Sequence, residues 1–381
     1  MKKLALLLTA CLILAPLAAK EGEKKKGKKP KKETIEVCFV LDTTGSMGGL
    51  IEGAKQKIWA IANEILASEP TPNLRIGLIG YRDRKEAYVT QVHDLSDDID
   101  DIYAKLMKFQ AQGGGDTPES VNQALHESVT KIKWNKSKKV LKLVFLVGDA
   151  PPHMDYQDDV KYPEICKMAA KKNLILNTVQ CGNMASTTPI WKEIAKLAEG
   201  DFVAIAQSGG VAAISTPVDA EIAKLNRELG VTVVAYGRAE VRDSVEEKLK
   251  NAAEAKEAVA ADRLSVLSLK SKSASIGHKG SASSYIDGGG DLVDELASGR
   301  VDFDDVEQEK LSEKVREMSK EERKKYLEEQ VAKRKELQKK LDELLAKRRD
   351  FVTAEKARLA KEGKGDGFDK KVSEIISKRR R

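Results

Sequence analysis

Glu36-Val37-Cys38-Phe39-Val40-Leu41-Asp42-Thr43-Thr44-Gly45-Ser46-Met47-Gly48 is the stretch from which the rest of the chain can be read. An apolar run stops abruptly at a carboxylate, and spaced hydroxyls and glycines follow. Ile35 to Leu41 is rich in β-branched and aromatic residues without polar alternation, the pattern of a strand buried on both faces. From about Met47 to Ser68, Leu50, Ile51, Ala54, Ile58, Ile61 and Ile65 recur at helical spacing. Asp42, Thr44 and Ser46 are thereby placed on a loop at the carboxyl end of a parallel strand, where open α/β sheets bind their ligands. Hard oxygen donors set this closely suit a small divalent cation such as Mg2+ or Mn2+.

Two further stretches carry the same kind of chemistry. Gly113-Gly114-Gly115-Asp116-Thr117-Pro118-Glu119 is a glycine-rich loop bearing a hydroxyl, and Val144-Phe145-Leu146-Val147-Gly148-Asp149 is an apolar strand ending in a carboxylate. Singly, Asp42, Ser46 and Thr117 read as ordinary helix caps. Jointly and in this order, the pieces resemble the metal-ion-dependent adhesion site of the von Willebrand factor A (vWA) family, over about residues 34–215. Asp42-x-Thr44-x-Ser46 looks like that family's DxSxS element, with Thr in place of its first Ser. The resemblance implies an α/β fold: a mainly parallel sheet flanked by helices. It also implies a metal site built from Asp42, Thr44, Ser46, Thr117 and Asp149. In the family the hydroxyls bind directly and the Asp side chains often act through water, orienting it. Such a site is short of anionic ligands, so an acidic side chain from a partner protein completes the Mg2+ or Mn2+ shell. Thr44 keeps the oxygen and adds a methyl, which predicts that the site survives the exchange. Asp116, Glu119, Asp155, Asp158 and Asp159 add negative charge nearby, the last three reading as solvated loop residues. A lone loop histidine such as His153 is more often neither ligand nor base.

The rest of this region alternates in α/β fashion. Strands are expected at Leu74–Tyr81, Ala87–Val92 (antiparallel, at the edge), Val140–Gly148 and Leu174–Gln180. Helices are expected at Asp97–Phe109, Glu119–Lys131, Pro163–Lys172 and Pro189–Ala198. Phe202–Gln207 and Val211–Ser215, joined by Ser208-Gly209-Gly210, read as a hairpin closing the sheet. A helix from Pro217 to about Leu229 and a strand-like run, Val231–Tyr236, complete a vWA-like domain of residues 34–237.

Outside it the composition changes. Met1–Ala19 has the positive start, apolar core and small-residue end of a secretory signal, which predicts an extracytoplasmic protein. Leu8-Thr9-Ala10-Cys11 also resembles a lipoprotein box, and this leaves a Cys11-anchored form open. Residues 20–33 are lysine-rich and read as a linker, with contact to an anionic surface as the alternative. On the other side, Arg238–Leu267 reads as a helix within a 238–269 segment, followed by a polar linker over 270–300. Asp287-Gly288-Gly289-Gly290-Asp291, inside that linker, is more often a turn than a calcium loop. The charged region 301–362 carries an imperfect coiled-coil seam of Leu327, Val331, Leu341, Leu345, Val352 and Leu359, interrupted by Arg334, Gln338, Arg348 and Glu355. Two readings stand beside each other: self-association through 307–360, or a long helix folded back on its own domain. Residues 363–381 form a basic tail without interleaved aromatics, so nucleic-acid binding is not expected.

The formal charge of +7 is modest for 381 residues, and the aromatic fraction of 5% points to a part of the chain without a conventional core. Cys38 and Cys181 fall in expected core strands, and a Cys166–Cys181 bridge stays open. The sequence contains no P-loop, HExxH or GxSxG motif. These features favour a metal-dependent protein-binding module with a helical tail for assembly. A coiled-coil scaffold capped by the vWA-like domain is the alternative, with a metal-assisted hydrolase behind it.

Overall fold

The computed structural model describes residues 33–115, 117–207, 214–275, 284–362 and 368–380. The expected leader with Cys11, the lysine-rich segment up to residue 32, Asp116, the 208–213 turn and half-hairpin, and residues 276–283 and 363–367 lie outside them.

Among the described residues the strands form a six-stranded sheet in the order β3-β2-β1-β4-β5-β6. They are β1 (Thr34–Asp42), β2 (Asn73–Tyr81), β3 (Thr90–Ser96), β4 (Leu141–Gly148), β5 (Ile175–Cys181) and β6 (Phe202–Ile205). Only β3 runs antiparallel, pairing with β2 at the edge. β1 lies between β2 and β4 with Asp42 opposite Tyr81 and Leu41 opposite Val147. The helices between strands are α1 (Gly48–Leu66), α2 (Ile99–Met107), α3 (Val121–Thr130), α4 (Tyr162–Lys171) and α5 (Thr187–Leu197).

Successive residues of β1 point to opposite faces, and each face has its own core. Val37, Phe39 and Leu41 pack with Ile51, Ile58 and Ile65 of α1. Cys38 and Val40 pack with Leu125 of α3, Ile165 of α4 and Trp191 of α5. This two-sided burial is why the run shows no alternation. It also settles the cysteines: Cys166 belongs to one face and Cys181 to the other, and both are free. The Cys166–Cys181 bridge left open by the sequence is therefore absent.

The first strand of the expected closing hairpin is β6; its turn and Val211 to Ala213 lie outside the described residues. β6 follows α5 and pairs parallel with β5, from Phe202 opposite Thr178 to Ile205 opposite Cys181. It continues the strand–helix–strand alternation, and Ile214 and Ser215 are not in a strand.

After the sheet come α6 (Asp219–Val231), α7 (Ala239–Glu254), α8 (Glu257–Ser275), α9 (Leu292–Ala297), α10 (Glu313–Arg316), α11 (Lys320–Lys361) and α12 (Phe368–Arg379). The single helix expected over 238–267 is two, broken at Ala255, whose ψ of 140° leaves the helical region. The expected linker from Lys270 is helical to Ser275, because this turn is tied to the returning chain: Lys270 pairs with Asp287, and the Ser284 N–H donates to Ser271 Oγ.

These helices are built into the domain. Val259 and Val266 of α8, and Val372, Ile375 and Ile376 of α12, join the core on the α1 face of the sheet. Leu337, Leu341, Leu344 and Leu345 of α11 pack with Ile222, Leu225 and Leu229 of α6 and with Leu264 and Leu267 of α8. The long helix is thus folded back on its own chain. The arginines that interrupt its seam are buried attachment points: Arg334 reaches Asp291 and Thr232, and Arg348 reaches Asp219 at 2.8 Å and Asp262 at 2.7 Å. Asp287 and Asp291, at the ends of the glycine run, are engaged in ion pairs with Lys270 and Arg334, so neither carboxylate is left free to hold calcium. The basic end is engaged too: Lys378 and Arg379 pair with Asp201, and Arg380 with Glu33.

Candidate metal centre

The carboxyl ends of β1 and β4 converge with the loop between α2 and α3. Asp42 is the last residue of β1, and Ser46 sits in the single helical turn Gly45–Met47 that leads into α1. Asp149 directly follows β4, and Thr117 lies on the glycine-rich loop before α3. Thr44, Ser46, Thr117 and Asp149 line one open cleft of about 270 Å³, together with Gly113–Gly115, Glu119, Ala150 and Met184. Asp42 is fully buried beside it. The structure therefore gathers every residue expected at the site.

The local bonding explains the arrangement. Asp42 Oδ1 accepts the Thr44 backbone N–H at 2.9 Å and the Thr44 hydroxyl at 2.6 Å. Thr44 Oγ1 and Ser46 Oγ lie 3.3 Å apart. Across the cleft, Asp149 Oδ2 accepts from Gln207 Nε2 at 2.7 Å, while its backbone carbonyl accepts the Thr187 hydroxyl at 2.7 Å. The glycine-rich loop is stitched to the β1 loop: Gly45 N–H donates to Gly113 O at 3.2 Å and Gln112 N–H to Thr43 O at 3.1 Å. Arg82 spans the two, donating to Thr43 O at 3.2 Å and Gln110 O at 2.7 Å while lying over the Tyr88 ring. Glu86 Oε1 accepts the Gly114 N–H at 2.7 Å.

Two glycines are fixed by this packing. Gly113 has φ +77°, and a Cβ there would collide with the Glu86 carboxylate. A Cβ at Gly148 would stand 2.5 Å from Tyr81 Oη and 3.0 Å from Asp42 Cβ.

The electrostatics favour a positive charge. Burial pushes the Asp42 carboxyl up to about 7; its two bonds from Thr44 pull the other way, and Asp149 and Glu86 add to the rise. Burial, then Asp42, Asp83, Glu86 and Asp149, push Glu119 up to about 9. Carboxyls held this close in a buried setting resist ionising together unless a cation compensates them. Asp42 Oδ2 and Glu119 Oε2 are both buried and have no hydrogen-bond partner. Among the described residues no three His, Cys, Asp or Glu side chains converge as a metal cage. The available donors are instead the hydroxyls of Thr44, Ser46 and Thr117 backed by Asp42 and Asp149, a hard-oxygen set that fits a Mg2+- or Mn2+-type ion.

Other polar residues take separate roles. His153 is buried, stacked on Tyr156 with ring centroids 4.0 Å apart, and its Nδ1 is 2.8 Å from Asp155. Its Nε2 lies 3.4 Å from Asp83, which also accepts from Ser120 and Tyr156. Asp158 and Asp159 pair with Arg84 at 2.9 and 2.8 Å. This group fastens the loop after β4 to the end of β2. Sequence reasoning missed Gln207, Arg82 and Glu86. None stands in a motif, and only the folded loops bring them to the site. Glu119 carried a signal, lying two residues after Thr117.

Residues 36–217 match the family model of the von Willebrand factor A domain. That domain is followed by a helical C-terminal region. A curated relative, an ariadne-like RING finger protein of Acanthamoeba polyphaga mimivirus, is 30% identical over 119 residues, 31% of this chain. The chain spans only 11% of that relative's length. Among solved structures, the vWA domain of SpRpn10 is 14% identical, covering 46% of this chain and 89% of that one, with a TM-score of 0.35. Proximal thread matrix protein 1 from the mussel byssus, solved with zinc in its MIDAS motif, is 16% identical over 46% of this chain and 42% of its own, with a TM-score of 0.37.

Proposed function

We propose that the chain is an exported protein-binding module that works through a divalent cation, Mg2+ or Mn2+, held by Thr44, Ser46 and Thr117 with Asp42 and Asp149 behind them. The observation that carries this reading is the fully buried Asp42 carboxylate, with one oxygen spent on Thr44 and the other unpartnered, beside an open cleft lined with hydroxyls. When bound, the cation supplies a positive charge with coordination positions open to an outside oxygen ligand. Asp42 Oδ1 accepts the hydrogen bond that the Thr44 hydroxyl donates, which leaves that oxygen's lone pairs for the cleft. Gln207 orients Asp149, and Arg82 and Glu86 hold the glycine-rich loop that carries Thr117.

The partner group that fits best is an acidic side chain on another protein, since the hydroxyl donors add no charge of their own. We assign binding rather than catalysis because the sequence lacks the nucleophile and base motifs that a hydrolase would use. The tail helix α11 acts by docking onto its own chain through Arg334 and Arg348, and the Met1–Ala19 pattern supports export. N-terminal sequencing of the protein from its host should begin near Lys20, or at Cys11 if lipid-anchored; an intact Met1 on cytosolic protein would count against export. The binding reading is tested by capture from envelope extract with the full chain. The wild type should retain a partner that is released by EDTA and not captured by Asp42→Ala. A partner held equally in EDTA would sink the cation's role.

A further inference from the structure

The amino ends of β4 and β5 carry a charge pattern opposite to that of the cleft at their other ends. From Ser128 to Gly148, and again from Ile165 to Lys192, the sequence has lysines and no acidic residue. The fold brings the two stretches together. Lys142 Nζ donates to Asn135 O at 3.1 Å and to Lys172 O at 2.7 Å, and Lys172 Nζ donates to Val129 O at 2.6 Å. Acids that reach this end from elsewhere are already paired: Glu127 with Lys131, Asp94 with Lys133, Glu36 with Arg75, and Asp201 with Lys378 and Arg379. Two exposed acids, Glu69 and Glu199, lie in the turns before β2 and β6, outside the β4 and β5 connections. Lys136, Lys138, Lys139 and Lys171 remain, all exposed and without an ion pair among the described residues.

We propose that this lysine face docks the chain on an anionic phospholipid bilayer. A bilayer presents diffuse negative charge, which exposed lysines meet as mobile point charges. A nucleic acid fits less well. The face offers lysines rather than arginine forks, and the aromatic residue of the connection, Trp134, packs inward with its Nε1 donating to Ser128 O at 2.8 Å, so it stacks no base. The N-terminal sequence has the same chemistry. β1 begins at this end of the sheet, with Ile35 opposite Leu141 and Glu36 accepting the Asn135 N–H at 2.8 Å. In the chain it is preceded by Lys24 to Lys32, without an acid, and before that by the apolar run Leu4 to Leu17. Polybasic sequence beside an apolar segment is a recurrent pattern for binding anionic lipid. β4 runs from the docked end to the cleft, roughly 23 Å at about 3.3 Å per residue, so the cleft stays open to solvent. That consequence rests on the metal-binding reading above; the docking itself does not.

The test uses the full chain, vesicles of phosphatidylcholine with or without phosphatidylglycerol, and acylation of exposed amines read by mass spectrometry. Phosphatidylglycerol vesicles should protect Lys136, Lys138, Lys139 and Lys171, and neutral vesicles should not. Lys85, exposed just past the cleft end of β2, should react alike with both. This position-by-position signal is readable even where residues 4–17 hold the chain on either vesicle. Changing Lys136, Lys138 and Lys139 together to Gln should lower the preference for phosphatidylglycerol over neutral vesicles on the order of a hundredfold, about fivefold for each lysine near the surface. The same change at Lys333, Lys335 and Lys339, exposed on α11, removes equal charge and should lower it far less. Failure of phosphatidylglycerol to protect the four lysines, equal protection of Lys85, or an equal loss in the α11 variant would overturn the inference and leave the metal site standing. Protection of the four by duplex DNA and not by vesicles would assign the face to nucleic acid, and overturn it as well.

Discussion

Replacing Leu341 by Ala should destabilise the whole described structure, not just its last long helix. Leu341 is 1% exposed in the middle of α11 and packs among Leu225, Leu229, Leu264 and Leu267 from α6 and α8. Truncating a leucine so enclosed costs the transfer of its lost methyl groups plus the cavity left behind, about 3 kcal/mol within a typical span of ~2–5. For a cooperative unit of this size a loss of 1 kcal/mol lowers the melting midpoint by roughly 2 °C, so a drop of roughly 6 °C is expected. Phe351 lies on the same helix but is 41% exposed, and its replacement by Ala should change stability by less than about 0.5 kcal/mol. Circular dichroism at 222 nm would follow the helices and tryptophan fluorescence the domain core, where Trp59 and Trp191 are fully buried. Both signals should move together in Leu341→Ala. If the helical signal falls early while the tryptophan transition stays at its wild-type midpoint, α11 is a separate unit and the packing argument fails.

Two further changes probe the frame of the site. Asp100→Asn should cost about 3–5 kcal/mol, because it leaves the buried Arg263 guanidinium without the carboxylate it grips at 2.6 and 2.8 Å. Adding Arg263→Met should restore part of that loss; a denaturant midpoint for Asp100→Asn within error of wild type would contradict it. Gly148→Ala would drive a methyl toward Tyr81 Oη and Asp42, costing about 1–3 kcal/mol. It should also shrink any stabilisation by Mg2+ in thermal melts, and unaltered stability with an unaltered Mg2+ response would refute the close-packing account.

Legibility in the sequence followed the range over which each feature is determined. The β1 run and the α1 spacing are local, and burial on both faces of the sheet fixes their pattern, so strand, helix and the five expected site residues could be placed by inspection. The β3 edge strand was legible but its bounds slid from Ala87–Val92 to Thr90–Ser96, since only pairing with β2 sets them. Of the hairpin expected after α5, the first strand is β6, while the Ser-Gly-Gly turn and Val211 to Ala213 lie outside the described residues. The most instructive case is α11. Arg334 and Arg348 look like flaws in a coiled-coil seam until Asp291, Asp219 and Asp262 are seen opposite them. A buried ion pair between residues far apart in sequence leaves no periodic trace. The same holds for Gln207 at Asp149 and Arg82 across the two loops, whose roles exist only once the strand ends are assembled.

The central claim is that the cleft holds a divalent cation in the folded chain, and a thermal melt of the full chain tests it most directly. Binding to the native state alone stabilises by RT ln(1 + [L]/Kd), about 2.7 kcal/mol at a hundredfold excess over Kd. Wild-type protein titrated with Mg2+ or Mn2+ should therefore melt at progressively higher temperature than in EDTA. Asp149→Ala should melt at the same temperature with and without the metal. Wild-type melts that superimpose in EDTA and across the whole range of both metals would contradict the account.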